Sequence, residues 1–111
     1  MTVTEFTEIN AAVPARNVLE ALHAVIDPEL GLDIVSLGMV YTVAVVDSHV
    51  AIEMTLTTPG CPLHASIDAD VRHCLGQVPG VGEISVDLVW DPPWTPDSMT
   101  PDAKRSLGFF Y

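Results

Sequence analysis

The sequence predicts one α+β domain in two layers, with helices on one face of a three-stranded sheet. Three observations carry that expectation. Val50, Ile52, Met54 and Leu56 alternate with Ala51, Glu53, Thr55 and Thr57, the period of a strand with one wet face. Leu63, Ile67, Val71, Cys74, Leu75 and Val78 recur at helical spacing. Proline and glycine punctuate the chain between such segments, as at Pro59-Gly60, Pro79-Gly80 and Pro92-Pro93. The resulting order is α-β-β-α-β-α, a two-layer arrangement.

Residues 1–13 show no clear period and read as a flexible N-terminal tail, leaving 14–111 as the single domain. Pro14 suits a first helical turn. Val18, Leu22, Val25 and Ile26 then share a face, with Leu19 at its edge. Asp27-Pro28 ends this helix, because a residue before proline avoids the helical region. After a loop with two glycines, Met39 to Asp47 reads as a strand apolar on both faces. Asp47-Ser48 is a plausible hairpin turn into the alternating second strand.

Thr57-Thr58-Pro59-Gly60-Cys61-Pro62 breaks that strand, and Pro62 is well placed to open the second helix, with Asp68 and Arg72 facing water. The third strand runs from Ile84 to Asp91 and stops at Pro92-Pro93. Thr100 or Pro101 starts a short last helix that ends near Gly108. If the second and third strands are parallel, the helix between them crosses over right-handed.

Composition narrows the function. With 111 residues, 49% of them apolar, the chain can bury a core without staples. Its net charge of -11 repels phosphate backbones and anionic lipid, so neither nucleic acid nor a membrane surface is an expected partner. No apolar run reaches the ~18 residues of a membrane span. The N-terminus carries Glu5 and Glu8 and no basic region followed by an apolar stretch, so the expected location is the cytoplasm and the two cysteines are expected as free thiols.

Cys61 is the residue with the sharpest chemistry. A thiol at a helix start sits near the positive end of the dipole and near unpaired backbone N–H groups. Both favour the thiolate, the form that binds metal and attacks electrophiles. Gly60 leaves room for close approach. Cys74 reads as a core residue on an apolar helix face, about 19 Å from Cys61 along the axis by helical rise, too far for a disulfide. His64, one turn after Cys61, could share a metal with it, although single histidines of this kind are more often solvated. His23, His49 and His73 show no partner spacing and read as surface residues.

Asp27, Glu29 and Asp33 cluster in the first loop, where two readings stand side by side: turn and capping chemistry, or a carboxylate patch facing the cysteine turn. Trp90, Pro93 and Trp94 form an aromatic corner, read as packing at a strand end or a partner surface. The chain has no phosphate-binding glycine loop, serine nucleophile elbow or His-Glu zinc helix, so an enzyme is not expected.

Four ordered segments resemble one family. They are Asp27-Pro28-Glu29-Leu30; Asp33 through Tyr41; Met54 through Pro62; and Val89-Trp90-Asp91-Pro92-Pro93-Trp94 with Met99 after it. Together they resemble the SufT/PaaD family of metal–sulfur cluster assembly factors, over about Val18 to Phe109. The resemblance implies an iron–sulfur cluster assembly domain-like fold. It also implies that Cys61 is the functional cysteine, with Asp27, Glu29, Asp33, Thr57 and Thr58 grouped around it. PaaD-type members carry extra cysteines near the C-terminus, whereas this chain ends Gly108-Phe109-Phe110-Tyr111. The general, SufT-like maturation branch is therefore favoured.

Clusters are usually held by four thiolates, and one monomer offers one credible thiolate. The expectation is transient binding of iron or an iron–sulfur cluster through Cys61, with scaffold or client apoproteins as partners. A symmetric homodimer with two bridging Cys61 residues is one way to complete the ligand shell. The alternatives are an adaptor without metal chemistry and a thiol enzyme using Cys61 as nucleophile.

Overall fold

The computed structural model describes residues 4–27, 30–56 and 64–108, with only the backbone of His64. The elements are β1 (Glu5–Ile9), α1 (Ala15–Leu22), β2 (Val40–Val46), β3 (His49–Met54), α2 (His64–Gly76), β4 (Ile84–Leu88) and α3 (Pro101–Leu107), with a 3-10 turn at Pro96–Ser98. The α+β expectation holds. The strand count does not: among the described residues the sheet has four strands, in the order β1-β2-β3-β4.

The additional strand is β1, inside the segment expected to be a tail. It runs parallel to β2, with Phe6 opposite Val43 and Ile9 opposite Val46. All five of its residues are exposed, so it carries none of the buried alternation that marks a strand in sequence. Its backbone bonds to β2 hold it, and the Glu8 carboxylate accepts from the Ala15 N–H at 3.2 Å, tying the strand to the start of α1. β2 and β3 form an antiparallel hairpin, whereas β3 and β4 are parallel and joined through α2. Asp47, at φ 55, makes the turn with Ser48 between Val46 and His49.

The core lies between one sheet face and the helices. Val43, Val45, Val50, Ile52 and Met54 supply the sheet side; Val18 and Leu22 of α1 and Ile67, Val71 and Leu75 of α2 close over it. Burial of each such side chain is worth about 1.5–3 kcal/mol. α1 is shorter than its apolar pattern. It ends at Leu22, after which the N–H groups of His23, Ala24 and Val25 each donate to a carbonyl three residues back. Val25 stays buried, but Ile26 is outside the helix and exposed. β4 likewise stops at Leu88, so Trp90 belongs to the segment that follows it. α3 matches its expected limits: the Thr100 hydroxyl accepts from the Ala103 N–H and Gly108 ends the helix at φ 81. No helix among the described residues is long and apolar enough to cross a membrane.

The other sheet face carries the alternate residues. Glu5, Thr42, Glu53 and Asp87 stand in register across the four strands. Tyr41 lies at an irregularity between Val40 and Thr42, and its hydroxyl donates to the Pro92 carbonyl at 2.8 Å. Burial pushes its pKa above the ordinary value of 10.0; a hydrogen bond with Thr55 pulls it down, and the Asp91 charge pushes it further up. The folded chain thus holds this proton more tightly than the unfolded chain does. The associated stability is whole below pH 10 and is lost as pH rises through the folded value. Unfolding in denaturant from pH 9 to 11 should show a steeper alkaline decline for the unsubstituted chain than for Tyr41→Phe.

Candidate functional site

The segment between α1 and β2 folds back on itself as a small acidic loop. The Asp27 N–H donates to the Leu32 carbonyl at 2.8 Å, the Gly31 N–H donates to the Asp27 carbonyl at 2.7 Å, and Ile26 and Asp33 form an antiparallel bridge. The Ile34 N–H donates to the Val25 carbonyl, so buried Val25 and Ile34 anchor the base of the loop in the core.

Both described carboxylates cap turns. Asp27 is 4% exposed, and its Oδ1 accepts from the Leu30 N–H at 3.2 Å. Asp33 Oδ2 accepts from the Ser36 N–H at 2.9 Å and lies 2.8 Å from His23 Nδ1. His23 is therefore half-exposed but partnered, in contrast to its reading as an isolated surface residue. Sequence reasoning missed it because nine residues lie between the pair, a distance that only the fold closes. His49 is partnered too, sharing a 2.8 Å hydrogen bond with the Ser85 hydroxyl and lying 3.4 Å from Glu83.

The loop leads into one end of the sheet. The Met39 N–H donates to Ile34, the Met39 carbonyl accepts from the Thr55 N–H at 2.8 Å, and Val40 pairs with Met54. The Val89 N–H donates to the Met54 carbonyl at the same end. The start of β2 and the ends of β3 and β4 therefore meet beside the acidic loop. The aromatic corner is divided: Trp94 Nε1 donates to the Leu37 carbonyl at 2.6 Å and packs on the core, while Trp90 is exposed.

Of the sequence-predicted site residues, the structure brings Asp27 and Asp33 together on one hydrogen-bonded loop. Glu29, Thr57, Thr58 and Cys61, together with Pro62 and the side chain of His64, lie outside the described residues. Among the described residues no group of three or more His, Cys, Asp or Glu side chains is arranged to hold a metal ion. Cys74 is half-buried against the core, and burial first, then the Asp70 charge, pushes its thiol up from the ordinary value. It is protonated at neutral pH and a poor metal ligand or nucleophile.

Comparison with known proteins bears on this arrangement. The family model described as iron–sulfur cluster assembly protein matches residues 15–86. The Fe-S protein maturation auxiliary factor YitW of Bacillus subtilis is 48% identical over 93 residues, covering 83% of this chain and 91% of that protein. The Fe-S protein maturation auxiliary factor SufT of Staphylococcus aureus is 49% identical over 85 residues, covering 76% and 97%. A crystal structure of a DUF59 domain from Bacillus anthracis superposes with a TM-score of 0.81 at 46% identity, covering 86% of this chain and 92% of that one.

Proposed function

The chain belongs to the iron–sulfur cluster assembly protein family, and on that footing we propose that it takes up and hands over iron or an iron–sulfur cluster as cargo through the thiolate of Cys61. Its role is that of an accessory factor in iron–sulfur cluster assembly, the role for which its relatives are named. The observation that carries the finer reading is the meeting of three chain segments at one sheet end. The acidic loop reaches β2 there, and β3 ends there, with the Thr55 N–H bonded to the Met39 carbonyl.

Of the two cysteines, Cys61 carries this reading, because burial and the Asp70 charge push the Cys74 thiol above its ordinary value and disfavour its thiolate. A single thiolate leaves a cluster incompletely ligated, so the cargo stays labile and passes to a partner that supplies the remaining ligands. The proposed partners are scaffold proteins and client apoproteins, and two chains joined through paired Cys61 thiolates form the loaded state. Glu29, Thr57 and Thr58 complete the surroundings of the thiol. The proposed compartment is the cytoplasm, where the thiol remains reduced. No substrate is turned over in this scheme.

Anaerobic reconstitution with iron and sulfide tests it. The unsubstituted chain should develop a cluster chromophore at two chains per cluster. Cys61→Ala should lower the amount bound by more than about tenfold, since even groups that only support a metal ligand contribute at that scale. A Cys61→Ala chain that reconstitutes as well as the unsubstituted one would remove the thiol from the mechanism.

A further inference from the structure

The sheet face turned away from the helices has an electrostatic problem that the chain does not solve itself. Glu5, Thr42, Glu53 and Asp87 are mutual register partners, so their side chains form one row across β1, β2, β3 and β4. Adjacent strands are about 4.8 Å apart, and like charges directly opposite one another, as Glu53 and Asp87 are, destabilise a sheet. None of Glu5, Glu53, Asp87 and Asp91 makes an ion pair among the described residues. The four Lys and Arg residues are Arg16, Arg72, Lys104 and Arg105, which lie on α1, α2 and α3 and not on the strands.

A cavity of about 300 Å³ opens on this row. Glu5, Glu53 and Asp91 bring carboxylates to it from β1, β3 and the segment after β4, and Tyr41, Val89 and Pro92 form its apolar wall. The Tyr41 ring is held in place by its hydroxyl bond to Pro92. Trp90, between two of these lining residues, is 41% exposed. Further along the same face, Ile9 and Val46 are register partners and are 58% and 40% exposed.

We propose that this open face docks a basic segment of a partner protein, with one Lys or Arg side chain entering the cavity among Glu5, Glu53 and Asp91. The chemistry of the wall fits that occupant. Val89 and Pro92 take the alkyl stem, the Tyr41 ring takes the face of the cation, and the carboxylates take its N–H donors. The extent of the surface suits a peptide better than a small cation. Four residues of strand, about 13 Å, separate Glu5 from Ile9, so a chain that fills the cavity can also cover the Ile9–Val46 apolar pair. The same face of a second copy is a poor occupant, because it would set Glu5, Glu53 and Asp87 of one chain against those of the other. The described acids also do not form a metal site.

The test uses a fluorescein-labelled decapeptide of alternating Lys and Val, followed by fluorescence anisotropy and by amide chemical shifts of the full chain. The double variant Glu5→Gln/Glu53→Gln should weaken binding by about tenfold or more. Glu20→Gln/Asp70→Asn removes the same charge from exposed positions on α1 and α2 and should stay within about twofold, the scale of screened long-range attraction. Shifts on binding should concentrate at Thr42, Glu53 and Val89, and Cys61→Ala should bind as the unsubstituted chain does. Equal weakening in the two double variants, shifts on the helical face, or no binding at all would overturn the proposal. Retained binding in Cys61→Ala together with failed cluster uptake separates this surface from the thiol chemistry.

Discussion

Gly38→Ala will lower the thermal midpoint of the domain by more than about 8 °C, the shift that follows from a cost of about 2–5 kcal/mol in a chain of this size. Two costs combine. Gly38 sits at φ 75, where a side chain adds about 1–2 kcal/mol. A Cβ there would also overlap the Ser98 carbonyl oxygen and stand 2.6 Å from its carbon, and backbone cannot swing aside as a side-chain tip can. Relief requires the 3-10 turn to move away. That motion strains the bond from the Thr100 N–H to the Ser36 carbonyl and lifts Met99, which is fully buried, out of the core.

Gly31→Ala provides the internal control. Gly31 has nearly the same backbone, φ 74, but nothing lies within 4 Å of the added carbon. Its cost should therefore be confined to the backbone contribution of about 1–2 kcal/mol. The difference between the two variants, measured by differential scanning calorimetry, isolates the contact that ties the C-terminal segment to the end of the acidic loop. Equal midpoints would mean that Ser98 yields freely.

The same pair of glycines illustrates what can be read from sequence. Both were recognisable as loop residues, but nothing local distinguishes Gly38, whose constraint comes from a residue sixty positions away. β3 and α2 were legible because one face of each is buried and burial imposes a period, as at Val50, Ile52 and Met54 and at Ile67, Val71 and Leu75, whereas β2 was marked by its apolar run. β1 was not, because a fully exposed edge strand has no buried half and is held by the backbone of β2. The acidic row on the open face was hidden for the same reason: without β1, Glu5 has no register. At the site, Asp27 and Asp33 stood out as an acidic cluster, and the structure adds the geometry that composition lacks, with each carboxylate closing a turn. The role of His23 depended on the chain reversing between Ile26 and Asp33.

That double character of the acidic loop sets up the second expected result. Asp27→Ala should cost about 1–3 kcal/mol, because it removes the acceptor of the Leu30 N–H at a position almost closed to water. The thermal midpoint should fall by about 4 °C or more. Asp27→Asn keeps an oxygen that can accept the same bond and is equally at home in such a turn, so its stability should return most of the way to that of the unsubstituted chain. The two substitutions share the loss of the carboxylate charge and differ in the turn. Anaerobic reconstitution of both, at a temperature where each is folded, then separates the roles. Uptake that is lowered equally in the two variants assigns the charge of Asp27 to cargo binding. Uptake that follows stability, normal in Asp27→Asn and poor in Asp27→Ala, assigns the residue to shaping the loop alone. Asp33→Asn extends the comparison, since an amide retains the bond from the Ser36 N–H while weakening the contact with His23.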